Sequence, residues 1–279
     1  MTSALTRTSH DGLTLPAIGF GTYQLRGQAG ARTVGTALAN GYTLLDSAVG
    51  YENEGAVGRA VRETNVPRDQ VVVTSKLPGR HHAHDDALAT IEESVYRTGL
   101  ERVDLYLIHW PNPRIGKYVE AWEALVEARE RGLVGAIGVS NFLPEHLEAV
   151  ERATGVRPSV NQIELHPYFP QTELLAHHRA LGILTEAWSP LGRASEMLHD
   201  PVIGEIAEAH AASPVRTVLA WHVAVGAIPL PKASSPERQR DNLAAPDLVL
   251  DEDEVARITA LGRPDGRTAN QDPAVYEEL

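Results

Sequence analysis

With 279 residues and no cysteine, the chain has ample length for a full hydrophobic core and offers neither disulfides nor thiolate metal sites. A formal net charge of −12 makes its average surface acidic, which argues against nucleic acid or an anionic membrane as a partner. The polar start from Met1 to Asp11 lacks the apolar run of a secretory signal, and no later stretch is long enough to span a bilayer, so a cytoplasmic monomer is expected.

Asp11-Gly12 marks a hairpin turn within Leu5 to Leu15, and Ala17-Ile18-Gly19-Phe20-Gly21 is the first strand candidate. The pattern then predicts a helix over Ala29 to Ala39, stopped by Asn40-Gly41. A strand ends at Asp46, and a run with helical apolar spacing follows from Glu54 through Val57 to Val61. Val71 to Ser75 reads as a strand running into Lys76, and a helix follows from about Asp85 to Tyr96. The strand from Val103 to Ile108 runs into His109 and precedes a helix from Tyr118 to Glu130. Val134 to Ser140 is another strand, and Pro144 opens the next helix as a first-turn proline. Ser159 to Leu165 and Ile183 to Trp188 read as strands, with a helix from Thr172 to Leu181 between them. Helices near Val202 to His210 and Val215 to Val225 lead to a last strand, Ala227 to Leu230. The segment after Gly262, rich in Asp, Pro and Gly, reads as loop.

Eight strand candidates, most followed by a helix, imply a parallel sheet with right-handed crossovers. Eight units in a chain near the ~250 residues of a single barrel favour a closed (β/α)8 TIM barrel. One domain over residues 1–279 is therefore expected, with an N-terminal β-hairpin and an extra C-terminal helix. The rival dinucleotide fold calls for Gly-x-Gly-x-x-Gly after its first strand. Gly19-Phe20-Gly21 supplies only half of that turn, since position 24 is Gln.

Three successive strands deliver an acid, a base and an imidazole to their carboxyl ends: Asp46, Lys76 and His109. Tyr51 lies in the loop beyond Asp46. Each has an ordinary structural explanation when taken singly, as a turn cap, a packed ring, a solvated strand end or a core histidine. Neighbouring barrel strands bring their exits together, so the four are expected to converge on one rim. Such a set suits carbonyl reduction. A phenol with a reference pKa of ~10 is a reluctant donor at neutral pH, a neighbouring ammonium makes it a better acid, and a carboxylate keeps that ammonium charged. The imidazole orients the carbonyl oxygen or shares its proton.

With these four residues in place, the sequence resembles the aldo-keto reductases over roughly Leu15 to Asn242, and is nearest to short bacterial members similar to 2,5-diketo-D-gluconate reductase. The resemblance implies reduction of aldehyde, ketone or keto-sugar carbonyls, with NADPH extended across the carboxyl rim and Tyr51 supplying the proton. It assigns the nicotinamide carboxamide to Ser140, Asn141 and Gln162, and the stacking face to Trp188. Ser189, Leu191 and Gly192 would lie along the pyrophosphate. Lys232 and Arg238 would grip the 2′-phosphate, and Asp241 and Asn242 would approach the adenine. Thr22 and Tyr23 also fall on the cofactor side, and Tyr23 and Trp110 match positions that wall the carbonyl pocket. The sequence departs from the family in having Ala233 where a Ser usually follows the Lys. One phosphate hydrogen bond is thereby lost unless Ser234 compensates, and the preference for NADPH over NADH is expected to be smaller than usual.

Little chain remains beyond Leu261, which predicts a short carboxyl-terminal segment and an open, unselective pocket. His81-His82-Ala83-His84 and His177-His178 lack metal-ligand spacing and read as solvated, so no metal is expected. Two rival functions use the same chain. A barrel glycosidase would rely on Glu164 and Glu186 but leaves Lys76, Arg238 and the Ser140-Asn141 pair unused. A non-catalytic NADPH-binding sensor or subunit would bind the cofactor without turnover.

Overall fold

The computed structural model describes residues 5–193 and 196–278. The first two strands, β1 (Thr6–Thr8) and β2 (Thr14–Pro16), form the expected hairpin, antiparallel with Arg7 opposite Leu15. Eight further strands form one parallel sheet in strict chain order: β3 (Phe20–Gly21), β4 (Leu44–Asp46), β5 (Val72–Leu77), β6 (Val103–Ile108), β7 (Val134–Ser140), β8 (Val160–Glu164), β9 (Leu184–Trp188) and β10 (Ala227–Pro229). Backbone hydrogen bonds from Gly19 N to Pro229 O (3.0 Å) and from Gly21 N to Pro231 O (3.1 Å) join the first and last of these and close the barrel.

The helices return the chain across the outside: α1 (Gly27–Asn40), α2 (Glu54–Glu63), α3 (His84–Thr98), α4 (Tyr118–Glu130), α5 (Pro144–Thr154), α6 (Thr172–Leu181), α7 (Pro201–Ala209), α8 (Pro214–Ala224), α9 (Pro236–Leu243) and α10 (Glu252–Thr259). Their ends follow local chemistry. Pro occupies the first turn of α5, α7, α8 and α9, where its missing N–H costs no hydrogen bond. Gly41 stops α1 with φ at 109°, a left-handed conformation that side chains disfavour. The expected strand from Ala17 to Gly21 shrinks to the two residues of β3, because that stretch meets its neighbours through only a few backbone bonds.

Strand residues alternate between the barrel lumen and the helical layer, and this period organises the site. On the lumen side, Leu44, Leu105, Leu107, Val160, Leu184 and Ile228 pack together with Leu15 of the hairpin, which plugs the amino-terminal mouth. Two residues further along the same faces the apolar layers give way to polar ones. Leu44 is followed by Asp46, Leu107 by His109, Val160 by Gln162 and Leu184 by Glu186.

Two histidine readings change with burial. His178 is fully buried, with Nε2 2.9 Å from Asn161 Nδ2 and Nδ1 2.8 Å from Thr185 Oγ1. His82 is buried as well, while His81 bonds Thr90 and His84 pairs with Glu127. The pattern that suggested solvation misled because the His82 loop lies under neighbouring segments and His178 sits on the inward face of α6, against β8 and β9. Among the described residues no cluster of metal-ligating side chains is present, and no helix is long and apolar enough to cross a membrane.

Candidate active site at the carboxyl rim

Lys76 is the anchor of the rim. It lies on the lumen face of β5 in phase with Val72 and Thr74 and is completely buried. Its ammonium donates to Asp46 Oδ1 (2.6 Å) and to the backbone oxygen of Ser47 (2.7 Å). Burial drives such an ammonium toward neutrality, but Asp46, Tyr51 and Glu186 together more than offset it and the net shift of Lys76 is upward, so the charge is held.

A single turn of 3-10 helix at Val49–Tyr51 carries Tyr51 over this pair. The Lys76 Nζ lies 4.9 Å from the centre of the Tyr51 ring, and the His109 ring lies 6.0 Å from it in an edge-on arrangement. The structure thus brings Asp46, Tyr51, Lys76 and His109 together. One electrostatic expectation needs correcting. Burial pushes the Tyr51 phenol up, Lys76 pulls it back only in part, and the net direction is upward, so the phenol is protonated at neutral pH rather than poised to ionise.

The polar layer continues across the lumen. Gln162 Nε2 donates to Asp46 Oδ1 (2.9 Å) and to Glu186 Oε2 (2.8 Å). A connected row therefore runs from β5 through β4 and β8 to β9. Glu186 is fully buried, and burial, followed by the nearby Asp46 charge, pushes its pKa up to about 7. Glu164 is held by His166 at 3.2 Å and by Thr268, whose N and Oγ1 each donate at 2.6 Å. Neither acid flanks an open cleft, which removes the geometric basis for a glycosidase.

The residues assigned to a cofactor ring the same mouth. Asn141, in a left-handed conformation with φ at 63°, donates to His109 O (3.0 Å) and Ser140 Oγ (3.0 Å), and accepts from Trp188 Nε1 (2.8 Å). Ser140 Oγ donates to Gln162 O at 2.8 Å. These groups form one hydrogen-bonded chain at the ends of β7, β8 and β9. Ser189 begins a tight turn closed by Gly192 N to Ser189 O (2.9 Å), and Leu191 packs into two neighbouring apolar clusters. Thr22 is buried, donating to Asp46 O at 2.7 Å, whereas Tyr23 is 56% exposed and meets Tyr51 edge-on at 5.1 Å.

Beyond β10, Lys232, Ser234 and Arg238 are exposed near the amino end of α9, where Ser235 caps Arg238 N. Ala233 is buried in the cluster that includes Leu25 and Val34, so its side chain faces the core, and the exposed hydroxyl beside Lys232 belongs to Ser234. Asp241 accepts from Ser213 Oγ at 2.6 Å and thereby ties α9 to α8, and Asn242 is buried.

The chain has known relatives. The model of the aldo/keto reductase family matches residues 17–263. The chain belongs to the aldo/keto reductase family. It is an oxidoreductase of that family, 47% identical over 270 residues to 2,5-diketo-D-gluconic acid reductase B of a Corynebacterium strain, covering 97% of each chain. Among solved structures, a Gox0644 variant in complex with NADPH superposes with a TM-score of 0.93 at 41% identity, covering 99% of both chains. A Bombyx mori aldo-keto reductase in complex with NADP does so with a TM-score of 0.91 at 30% identity, covering 100% of this chain and 99% of that one.

Sequence reasoning missed several residues of this aldo/keto reductase's rim. Ser47 and Asn53 pair at 2.6 Å, and Asn53 Nδ2 donates to Thr22 O at 2.7 Å, pinning the turn that carries Tyr51. Their polarity next to Asp46 was the available signal. The carboxyl-terminal segment, expected to be short and to leave the pocket open, reaches the rim. Tyr276 packs on Trp110 with ring centres 4.5 Å apart, and Glu278 reaches His109. The pocket is consequently walled on that side, not open. Trp110 itself is buried and meets Trp188 edge-on at 6.3 Å.

Proposed function

We propose that this chain reduces aldehyde, ketone or keto-sugar carbonyls to alcohols, using NADPH, as one barrel domain over residues 1–279 acting as a cytoplasmic monomer. What carries the reading is the buried Lys76–Asp46 ion pair lying under the Tyr51 ring with His109 beside it. The residues around the rim fit the cofactor. Two exposed cations and a serine gather at a capped helix start, which suits a phosphate, and an indole stands half-buried at the mouth of the lumen. Trp188, Ser140, Asn141 and Gln162 would hold the nicotinamide end. Ser189, Leu191 and Gly192 would run beside the pyrophosphate, and Lys232, Ser234 and Arg238 would hold the 2′-phosphate. When bound, NADPH supplies the hydride.

The protein supplies the proton and the orientation. Tyr51, kept protonated by burial, holds its hydrogen until negative charge develops on the carbonyl oxygen. Lys76, held charged by Asp46, stabilises the phenolate left behind. His109 orients the oxygen, while Tyr23 and Trp110 bound the pocket with aromatic faces that suit aldehydes, ketones or short sugar acids without selecting among them. NADPH is preferred over NADH, with Ser234 providing the hydroxyl that Ala233 does not.

The test is Tyr51→Phe. The variant is expected to quench tryptophan fluorescence on NADPH addition as the parent does, and to lose most turnover of a panel of aldehydes, diketones and keto-sugars. Undiminished turnover would remove Tyr51 as the acid. Fluorescence quenching with no turnover of any substrate by the parent would indicate a binding subunit instead.

A further inference from the structure

The carboxyl-terminal segment crosses the barrel mouth and is fastened there by specific bonds. Asn112 reads the backbone of Glu278 from both sides: its Nδ2 donates to Glu278 O (2.8 Å), and its Oδ1 accepts from Glu278 N (3.0 Å). Arg114 N donates to the Glu277 carboxylate at 2.7 Å, and Tyr276 lies on Trp110. These contacts leave the Glu278 side chain directed inward. Its Oε2 accepts from Gly79 N at 3.0 Å, and its Oε1 stands 2.7 Å from His109 Nδ1. The buried ring of His82, with no hydrogen-bond partner among the described residues, is coupled electrostatically to the same carboxylate.

Burial works against ionisation of Glu278, but the His109 ring and the Gly79 N–H more than compensate and hold its carboxyl below the usual range. An ionised carboxylate only accepts hydrogen bonds. The 2.7 Å approach is an ion-pair distance without the direction of a hydrogen bond, since His109 Nδ1 has no hydrogen-bond partner among the described residues. A bare lone pair on Nδ1 would face the carboxylate oxygen repulsively, so the carboxylate favours a hydrogen on Nδ1 and leaves Nε2 as the atom free for substrate. Nε2 then offers a hydrogen to a carbonyl oxygen only when it is protonated too, and the carboxylate is the counter-charge that this form of the ring requires.

We propose that Glu278 is a positioning residue for carbonyl reduction: it selects the Nδ1-protonated ring of His109 and balances its charge while His109 binds the carbonyl oxygen through Nε2. The inference rests on the reading of His109 as the group that orients the carbonyl. It makes the carboxyl-terminal segment part of the working site and not only a wall of it.

The experiment uses the full chain and three variants, Glu278→Ala, Glu278→Asp and His109→Gln. Long-range proton–nitrogen spectra of the imidazoles, recorded without cofactor and assigned by His109→Gln, report which ring nitrogen carries hydrogen. The parent is expected to show Nδ1–H at residue 109, and Glu278→Ala is expected to lose that preference. In Glu278→Ala kcat should fall about tenfold, the lower end of what partners that orient a reactive group contribute, with KM for NADPH unchanged. Added acetate or Glu278→Asp should restore part of the loss. An unchanged ring in Glu278→Ala, or a fall in kcat that neither acetate nor Glu278→Asp relieves, would reduce the segment to packing and overturn the proposal. Full turnover by His109→Gln would instead refute the role of His109 in orienting the carbonyl. That failure is distinguishable, because Glu278→Ala would then alter the ring and leave kcat unchanged.

Discussion

Replacing Glu186 by Gln isolates the cost of an acid buried in the lumen. In the folded protein burial raises its pKa from 4.5 to about 7, so between those values the unfolded chain has lost a proton that the folded chain keeps. Where the unfolded state binds fewer protons, stability falls as pH rises. At about 1.4 kcal/mol per unit, the full window costs the wild type roughly 3 kcal/mol, and a step from pH 5 to pH 8.5 captures roughly 2 to 3 kcal/mol of it. Gln keeps the shape and an oxygen to accept from Gln162 but cannot ionise. Urea unfolding of both proteins at the two pH values gives the quantity needed, since every other titrating group cancels in the difference. Gln should gain on Glu by that amount at pH 8.5 relative to pH 5. Parallel curves would mean that the carboxylate is ionised at neutral pH despite its burial, and the reasoning would fail.

Lys232→Ala and Arg238→Ala should each raise KM for NADPH by about 10- to 100-fold, the worth of a charge-assisted hydrogen bond, with little effect on KM for NADH; equal effects on both cofactors would place the phosphate site elsewhere. Gly58 of α2 packs so closely on α3 that an added Cβ would lie 1.9 Å from Thr98 O, and Gly58→Ala should cost about 1–3 kcal/mol in denaturant titration; unchanged stability would show that the helices slide apart freely. His178, His82 and His222 are buried, with pKa values lowered to about 3, 4 and 4. Below the ordinary histidine value of 6.5 the unfolded chain therefore binds protons that the folded one does not, and stability should fall as pH drops from 6.5 toward 4. His178→Gln should flatten that slope in urea midpoints recorded between pH 7 and pH 5, and an unaltered slope would exclude His178 as a contributor.

The barrel was legible because strand and helix periods differ and alternate without interruption. Val103–Ile108, Val134–Ser140 and the helices Tyr118–Glu130 and Thr172–Leu181 fall where the pattern predicts them. The convergence of Asp46, Lys76 and His109 followed from parallel strand exits. What stayed hidden were relations between segments distant in sequence. Glu278 contacts His109 across 169 positions, and no local pattern carries that information. His82 and His178 were misread for the same reason, since the polarity of a loop or helix residue says nothing about what lies over it. Glu186 was visible as an acid near a strand exit, but only its shared phase with Leu184 placed it inside the lumen.

The barrel seam has a polarity of its own. Pro229 and Pro231 present carbonyls to Gly19 and Gly21 but have no N–H to send back, so every bond across that join runs one way. Lys232, at the proposed phosphate site, is the very next residue. An anion held between Lys232 and Arg238 would therefore brace the cylinder at its thinnest stitching, making grip on the nucleotide and closure of the wall a single mechanical event.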